Sequence, residues 1–178
     1  MQDSRRADAK RSRARIVDVA RACDPAQLRL NDVAKRAGLG VGTVYRHFPS
    51  VHALVEAVVS DDLVAYRELA RAAAAERDPA AALEMLVRRG LALQLLDGGL
   101  QAVLLAAEDG NAEIAALKNE LRQLTESLLI AARDVGAVRA DLTVERLMHL
   151  VCGIEHAVRT SGTDDASFYI DTLIAGLR

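Results

Sequence analysis

The sequence predicts an all-α fold in two parts, a small N-terminal module followed by a larger helical body. Three observations carry this. About half of the 178 residues are apolar but only 3% are aromatic, so the core must be built from Leu, Val, Ile and Ala. Alanine is abundant and glycine clusters at segment ends, a distribution that favours helices. No segment shows the two-residue alternation of a strand; apolar residues recur at three and four instead.

The first helix is expected over about 7–23, with Ile16, Val17, Val19 and Ala20 on its apolar side and residues 1–6 disordered. Asp24-Pro25 stops it, because the residue before a proline is pushed out of the helical region. The second helix turns Leu30, Val33 and Ala34 inward and ends at Gly38, where glycine tolerates the left-handed stop. A third covers about 41–48, and Ser50 caps a long fourth helix reaching about residue 77. Asp78-Pro79 is a cap followed by a first-turn proline, opening a helix to about 96. Asp97-Gly98-Gly99 and Asp109-Gly110-Asn111 are breaks around a short helix. The next helix spans about 112–134, with Ile114, Leu117, Leu121, Leu124 and Leu128 on one stripe, and ends at Gly136. Thr143 caps a helix to about 160, Ser161-Gly162-Thr163 turns the chain, and Asp164 or Asp165 opens the last helix to Leu177. The expected total is about nine helices.

Charge is unevenly distributed. The net charge is −2, yet residues 1–52 hold 11 Lys/Arg against 5 Asp/Glu, while residues 53–178 hold 12 against 20. A basic head of +6 and an acidic body of −8 suit a phosphate-facing surface joined to a part that avoids phosphate. Two cysteines, Cys23 and Cys152, form no paired framework, consistent with a reduced, cytoplasmic chain. The N-terminus lacks an apolar signal core, and the most apolar stretch, 90–107, is broken at 97–99, too short to span a membrane. No Ser/His/Asp arrangement, phosphate loop or useful carboxylate pair appears, so neither catalysis nor a cofactor is expected.

Residues 29–48 form a short helix, a glycine-containing turn and a second short helix, the layout of a helix-turn-helix for double-stranded DNA. In the second helix Val44 and Phe48 can face the core while Gly42, Thr43 and Arg46 face outward. Thr43 offers a hydroxyl to phosphate and a methyl to thymine, and the fork of Arg46 suits guanine or phosphate. The basic residues Arg5, Arg6, Lys10, Arg11, Arg13 and Arg15 either reach DNA or are simply solvated.

The string Ala37-Gly38-Leu39-Gly40-Val41-Gly42-Thr43-Val44-Tyr45-Arg46-His47-Phe48-Pro49-Ser50 resembles the TetR family of bacterial transcriptional regulators, with the likeness specific over about 12–60. The resemblance implies a DNA-binding domain over 7–52 and an effector-binding and dimerisation domain over 53–178. The resemblance implies phosphate roles for Tyr45 and His47; with the residues' own chemistry, the candidate DNA contacts are Arg29, Lys35, Val41, Gly42, Thr43, Tyr45, Arg46, His47 and His52. It also implies a homodimer built on the last two helices, a small-molecule effector and repression of a palindromic operator; the sparse charge along the inner helical stripes points to an apolar effector of unknown identity. Three positions depart from the family pattern: Ala22-Cys23-Asp24-Pro25 lacks the usual aromatic and glycine, Arg29 replaces a threonine, and Val51 replaces a lysine, leaving His52 or Arg29 to supply the phosphate contact.

In the body, Leu63, Tyr66, Met85, Leu93, Leu104, Leu121 and Leu124 are candidates to line an effector pocket, though each is also a reasonable core residue. The helix after Thr143 carries Glu145, His149, Cys152 and His156 within about 60° of arc. One reading makes this a dimer-facing stripe with Gly153, Phe168, Tyr169, Thr172 and Gly176. The alternative is a metal- or thiol-sensing site built on Cys152, His149 and His156.

Overall fold

The computed structural model describes residues 2–96, 98–162 and 165–178. Among them are ten α-helices, one 3-10 turn at Pro25–Gln27, and no strand. The helices are α1 (Gln2–Arg21), α2 (Leu30–Ala37), α3 (Val41–His47), α4 (Val51–Val58), α5 (Ser60–Ala74), α6 (Pro79–Leu96), α7 (Gly98–Leu105), α8 (Ala112–Asp134), α9 (Val144–Ser161) and α10 (Ala166–Gly176). Asp97 and Asp164, read as turn and cap residues, lie outside the described residues.

Two expectations are corrected. Helix α1 starts at Gln2, so residues 2–6 are helical rather than disordered. The long helix expected from Ser50 is two helices. It breaks at Val59 (φ −93°, ψ 6°), and the Ser60 hydroxyl donates to the Ala57 carbonyl at 3.2 Å. Two β-branched residues followed by Ser60-Asp61-Asp62 explain the break, since these types either crowd the helix or compete for its backbone.

The chain forms two compact units. One runs through Asp61 and takes in Gly98–Ile114; the other contains Asp62–Asp97 and Ala115–Arg178. The sequence boundary at 52/53 thus falls inside α4, and α7 belongs with the N-terminal helices. In the first unit α1 packs on α2, α3 and α4, and α4 packs on α7. Ile16, Ala34, Val44, Leu54 and Val103 are wholly buried there. The larger of these side chains, Ile16, Val44, Leu54 and Val103, each contribute roughly 1.5–3 kcal/mol by leaving water.

In the second unit α6, α9 and α10 pack together. Their shared core contains Leu83, Val87 and Leu91 of α6, Leu129 and Ala132 of α8, Val144, Leu147 and Val151 of α9, and Leu173 and Ile174 of α10. Two expected caps form: Thr143 Oγ1 accepts from the Arg146 N–H at 3.3 Å, and Asp78 Oδ1 from the Ala80 N–H at 2.9 Å, whereas Asp165, at the start of α10, makes no side-chain cap bond.

Candidate nucleic-acid interface

The turn between α2 and α3 is set by one glycine. Gly38 adopts φ 60°, ψ 37°, the left-handed region that an L side chain rarely occupies. Its N–H reaches the Lys35 carbonyl at 3.2 Å, and the Leu39 N–H reaches that of Ala34 at 3.0 Å. This paired closure satisfies two carbonyls at the end of α2 and turns the chain sharply into α3.

Helix α3 then divides by face. Val44 is wholly buried and Phe48, its C-terminal neighbour by four, is 2% exposed, so this stripe anchors the helix. Val41, Gly42, Tyr45 and Arg46 are exposed, and Thr43 and His47 half-buried. A methyl added at Gly42 would meet nothing within 4 Å, so packing within the chain does not demand glycine there. A bare backbone at this place admits close approach of another molecule. Arg46 lies back along α3, donating from Nε to the Gly42 carbonyl at 3.1 Å and from Nη2 to Thr43 Oγ1 at 3.2 Å. Both residues are therefore held together on the outward face.

Beside Tyr45 is a surface hollow of about 290 Å³ lined by Arg29, Leu30, Asn31, Tyr45, Pro49, Ser50 and Val51. The first residues of α2 and α4 both border it, and the partial positive charge at helix N-termini favours an anion there. Arg29, the N-cap residue of α2, lines the hollow. Val51 is exposed and apolar on the same rim. Lys35 is exposed on α2. His52 has partners within its own unit: its Nε2 lies 3.0 Å from the Glu108 carbonyl and 3.1 Å from Glu56 Oε1. Arg13 sits 5.2 Å above the Phe48 ring, tying α1 to the end of α3. Sequence reasoning missed this contact, because nothing local pairs residues 13 and 48.

In the second unit Leu63 and Leu121 are buried and Tyr66, Met85, Leu93 and Leu124 half-buried. Leu104, grouped with them on the sequence, belongs to the first unit through α7. On α9, His149, Gly153 and His156 are exposed and Cys152 half-buried; on α10, Phe168, Thr172 and Gly176 are exposed and Tyr169 half-buried. The Phe168 and Tyr169 rings meet edge to face at 5.6 Å.

The stripe does not assemble a metal site. Among the described residues no group of three or more His, Cys, Asp or Glu side chains is placed to hold an ion. Residues 149 and 156 share an angular sector but are separated by about 10 Å of helix rise, and Glu145 pairs with Arg122. Among the described residues, no helix is long and apolar enough to cross a membrane.

An all-helical chain with a glycine-closed helix-turn-helix, a buried-anchor recognition helix and a separate helical body is a DNA-binding regulator rather than an enzyme. Residues 16–58 match the model of bacterial regulatory proteins of the tetR family, and residues 78–178 match that of the SbtR-like transcriptional regulator C-terminal domain. The chain belongs to the TetR family of transcriptional regulators, whose members bind DNA and act as dimers.

Solved structures agree with the fold. A TetR regulator from Streptomyces coelicolor is 26% identical over 93% of this chain and 98% of its own, with a TM-score of 0.54. FadR from Bacillus subtilis, solved with stearoyl-CoA, is 16% identical over 93% and 99%, with a TM-score of 0.61. AmtR from Mycobacterium smegmatis is 21% identical over 91% and 84%, also at 0.61. No curated protein sequence matches the chain.

Proposed function

We propose that this chain is a cytoplasmic, small-molecule-responsive repressor that binds a palindromic operator as a homodimer. The observation that carries the DNA-binding part is the division of α3, with Val44 and Phe48 locked in the core and Thr43, Tyr45 and Arg46 turned outward. Gly42 and Thr43 meet base edges, with Val41 alongside, and Arg46 reads a base or serves a phosphate. Tyr45, His47, Lys35 and Arg29 serve phosphates, with Tyr45 and Arg29 flanking the hollow at the two helix N-termini.

One seven-residue helix reads few bases, so a two-fold dimer supplies the second half-site. The exposed stripe His149, Gly153 and His156 on α9, with Phe168, Thr172 and Gly176 on α10, is the surface assigned to the partner copy. Methyls added at Gly153 or Gly176 would meet nothing within 4 Å, which suits close crossing by a second helix. The acidic second unit is assigned to the effector. Ligand binding there would favour a dimer whose recognition helices no longer match the half-site spacing.

The test is fluorescence anisotropy of the purified protein on DNA from upstream of its own gene, over a salt series. Tight, sequence-selective binding with a steep negative salt slope supports the reading. Weak binding that is indifferent to sequence across that region counts against it.

A further inference from the structure

Gln94 occupies a place where its helix otherwise buries apolar or small residues. Helix α6 turns Leu83, Val87, Gly90, Leu91 and then Gln94 inward at helical spacing, and Gln94 is only 3% exposed. Its Nε2 lies 3.5 Å from the Tyr66 hydroxyl, the outer limit of a hydrogen bond, and its Oε1 has no partner. Buried polar atoms are normally paired, so an open amide end in a core marks a place where a partner belongs.

The surroundings narrow that partner. Tyr66 is held in place by Gly90, one turn before Gln94: a methyl added at Gly90 would stand 2.5 Å from the phenol oxygen and 2.7 Å from the ring. Burial pushes the Tyr66 phenol up to about 12, so it stays neutral and keeps its proton. One charge pair borders the site, and it is closed on itself. Glu155, 2% exposed, pairs with Arg159, which also donates to the Gln94 carbonyl at 2.7 Å. A charged ligand group would therefore enter with no free counter-charge from this pair.

The glutamine amide can exchange its oxygen and nitrogen by a half-turn. In one orientation Oε1 is open as an acceptor and the phenol proton is free to donate. In the other, the phenol donates to Oε1 and Nε2 is open as a donor. A hydroxyl, which both donates and accepts, closes either arrangement. A carboxylate only accepts, an ammonium only donates, and each carries charge.

We infer that Gln94 and Tyr66 form the polar anchor of the effector site and recognise a neutral hydroxyl group on an otherwise apolar small molecule. This rests on the reading of the second unit as the effector-binding body. Sites of this kind are apolar with a few polar groups that fix orientation.

Calorimetry with phenol, and with its methyl ether anisole as a control, tests the anchor on wild type, Gln94→Met and Tyr66→Phe. Gln94→Met keeps the side-chain volume and removes the open amide, so it should fold; circular dichroism checks this. Phenol is expected to bind wild type at least about 10-fold more tightly than anisole, because a site built to pair a hydroxyl rejects the analogue lacking one. Gln94→Met should lose that preference, and Tyr66→Phe should reduce it. Absence of phenol binding, equal binding of phenol and anisole, or full phenol affinity in Gln94→Met each overturns the inference; the last would assign Gln94 to an internal water. Operator binding measured on the same preparations separates the two readings. Intact DNA binding without phenol binding removes only the anchor, whereas absent DNA binding removes the regulator and leaves the phenol result to decide the anchor alone.

Discussion

Glu56 and Gly110, far apart in sequence, are joined by a hydrogen bond of 2.7 Å from the Gly110 N–H to Glu56 Oε1, and the Glu56 side chain is wholly buried. The second carboxylate oxygen has no hydrogen-bond partner. A methyl at Gly110 would stand 2.4 Å from that oxygen. His52 shares the site. Its Nε2 faces two acceptors, the Glu108 carbonyl and Glu56 Oε1, so that nitrogen carries the proton. The loop between α7 and α8 is thereby fastened to α4 inside the DNA-reading unit. Gly110→Ala and Glu56→Ala should each destabilise the protein by about 1–3 kcal/mol, measured by denaturant unfolding. Glu56→Gln should cost less, because it keeps an oxygen for the Gly110 N–H and removes a buried charge. A Gln variant as unstable as the Ala variant would show that charge, rather than the hydrogen bond, holds the loop.

The geometry of α3 makes Arg46 the side chain to change first. Arg46→Ala should weaken operator binding by about 1–3 kcal/mol and relax specificity at one position if the guanidinium reads a base. If it serves phosphate, affinity should fall evenly across sequences and the salt slope should drop by about one. An anisotropy titration against single-base operator variants distinguishes these, and unchanged affinity removes Arg46 from the interface.

Gly90 and Tyr66 should behave as a coupled pair. Gly90→Ala inserts a methyl into the phenol and should destabilise by about 1–3 kcal/mol. Combining it with Tyr66→Leu should recover part of the loss, since neighbouring substitutions are non-additive. A double-mutant cycle by thermal or denaturant unfolding measures the coupling, and strict additivity would refute it.

Tyr66 also sets an alkaline limit. Its folded pKa is raised from 10.0 to about 12 by burial. The unfolded phenol therefore ionises first. The stability associated with keeping Tyr66 neutral is fully present below pH 10 and is lost as pH rises through about 12. Wild type should lose stability over that window, and Tyr66→Phe should flatten the decline. The phenolate absorbance of the folded protein should lose its latest phase in the same variant.

Phe168 is 68% exposed at the start of α10, beside Tyr169. If this surface meets a second copy, Phe168→Asp should shift sedimentation from dimer towards monomer and weaken operator binding, while the circular dichroism spectrum stays helical. Leu150, 45% exposed on α9, is a further apolar residue near His149 and Gly153 in sequence that sequence reading did not single out. A dimer unaffected by Phe168→Asp and by Leu150→Asp would place the interface elsewhere.

The DNA-reading end was legible because its signals are local. Gly38 closes one helix, Ser50 caps another, and Val44 with Phe48 marks a buried stripe, all within a few residues of what they shape. The break at Val59 was missed because apolar spacing continues across it, although the Ser60-Asp61-Asp62 run was a usable cue. The body was legible as helices but not as a site. Gln94 reads as one polar residue in an apolar helix, and only the approach of α5 places the Tyr66 phenol against Gly90 and beside its amide.

Apart from the break at Val59 and the start of α1, the sequence alone determined the helices, their stops, the helix-turn-helix and the basic head, because helix propensity, capping and charge act between near neighbours. Tertiary structure decided that α7 joins the reading unit, that Glu56 binds Gly110, that His52 turns to Glu108 and that Glu145, His149, Cys152 and His156 do not converge on a metal. Those outcomes depend on which distant surfaces bury each other, and burial is a property of the assembled chain rather than of any short segment of it.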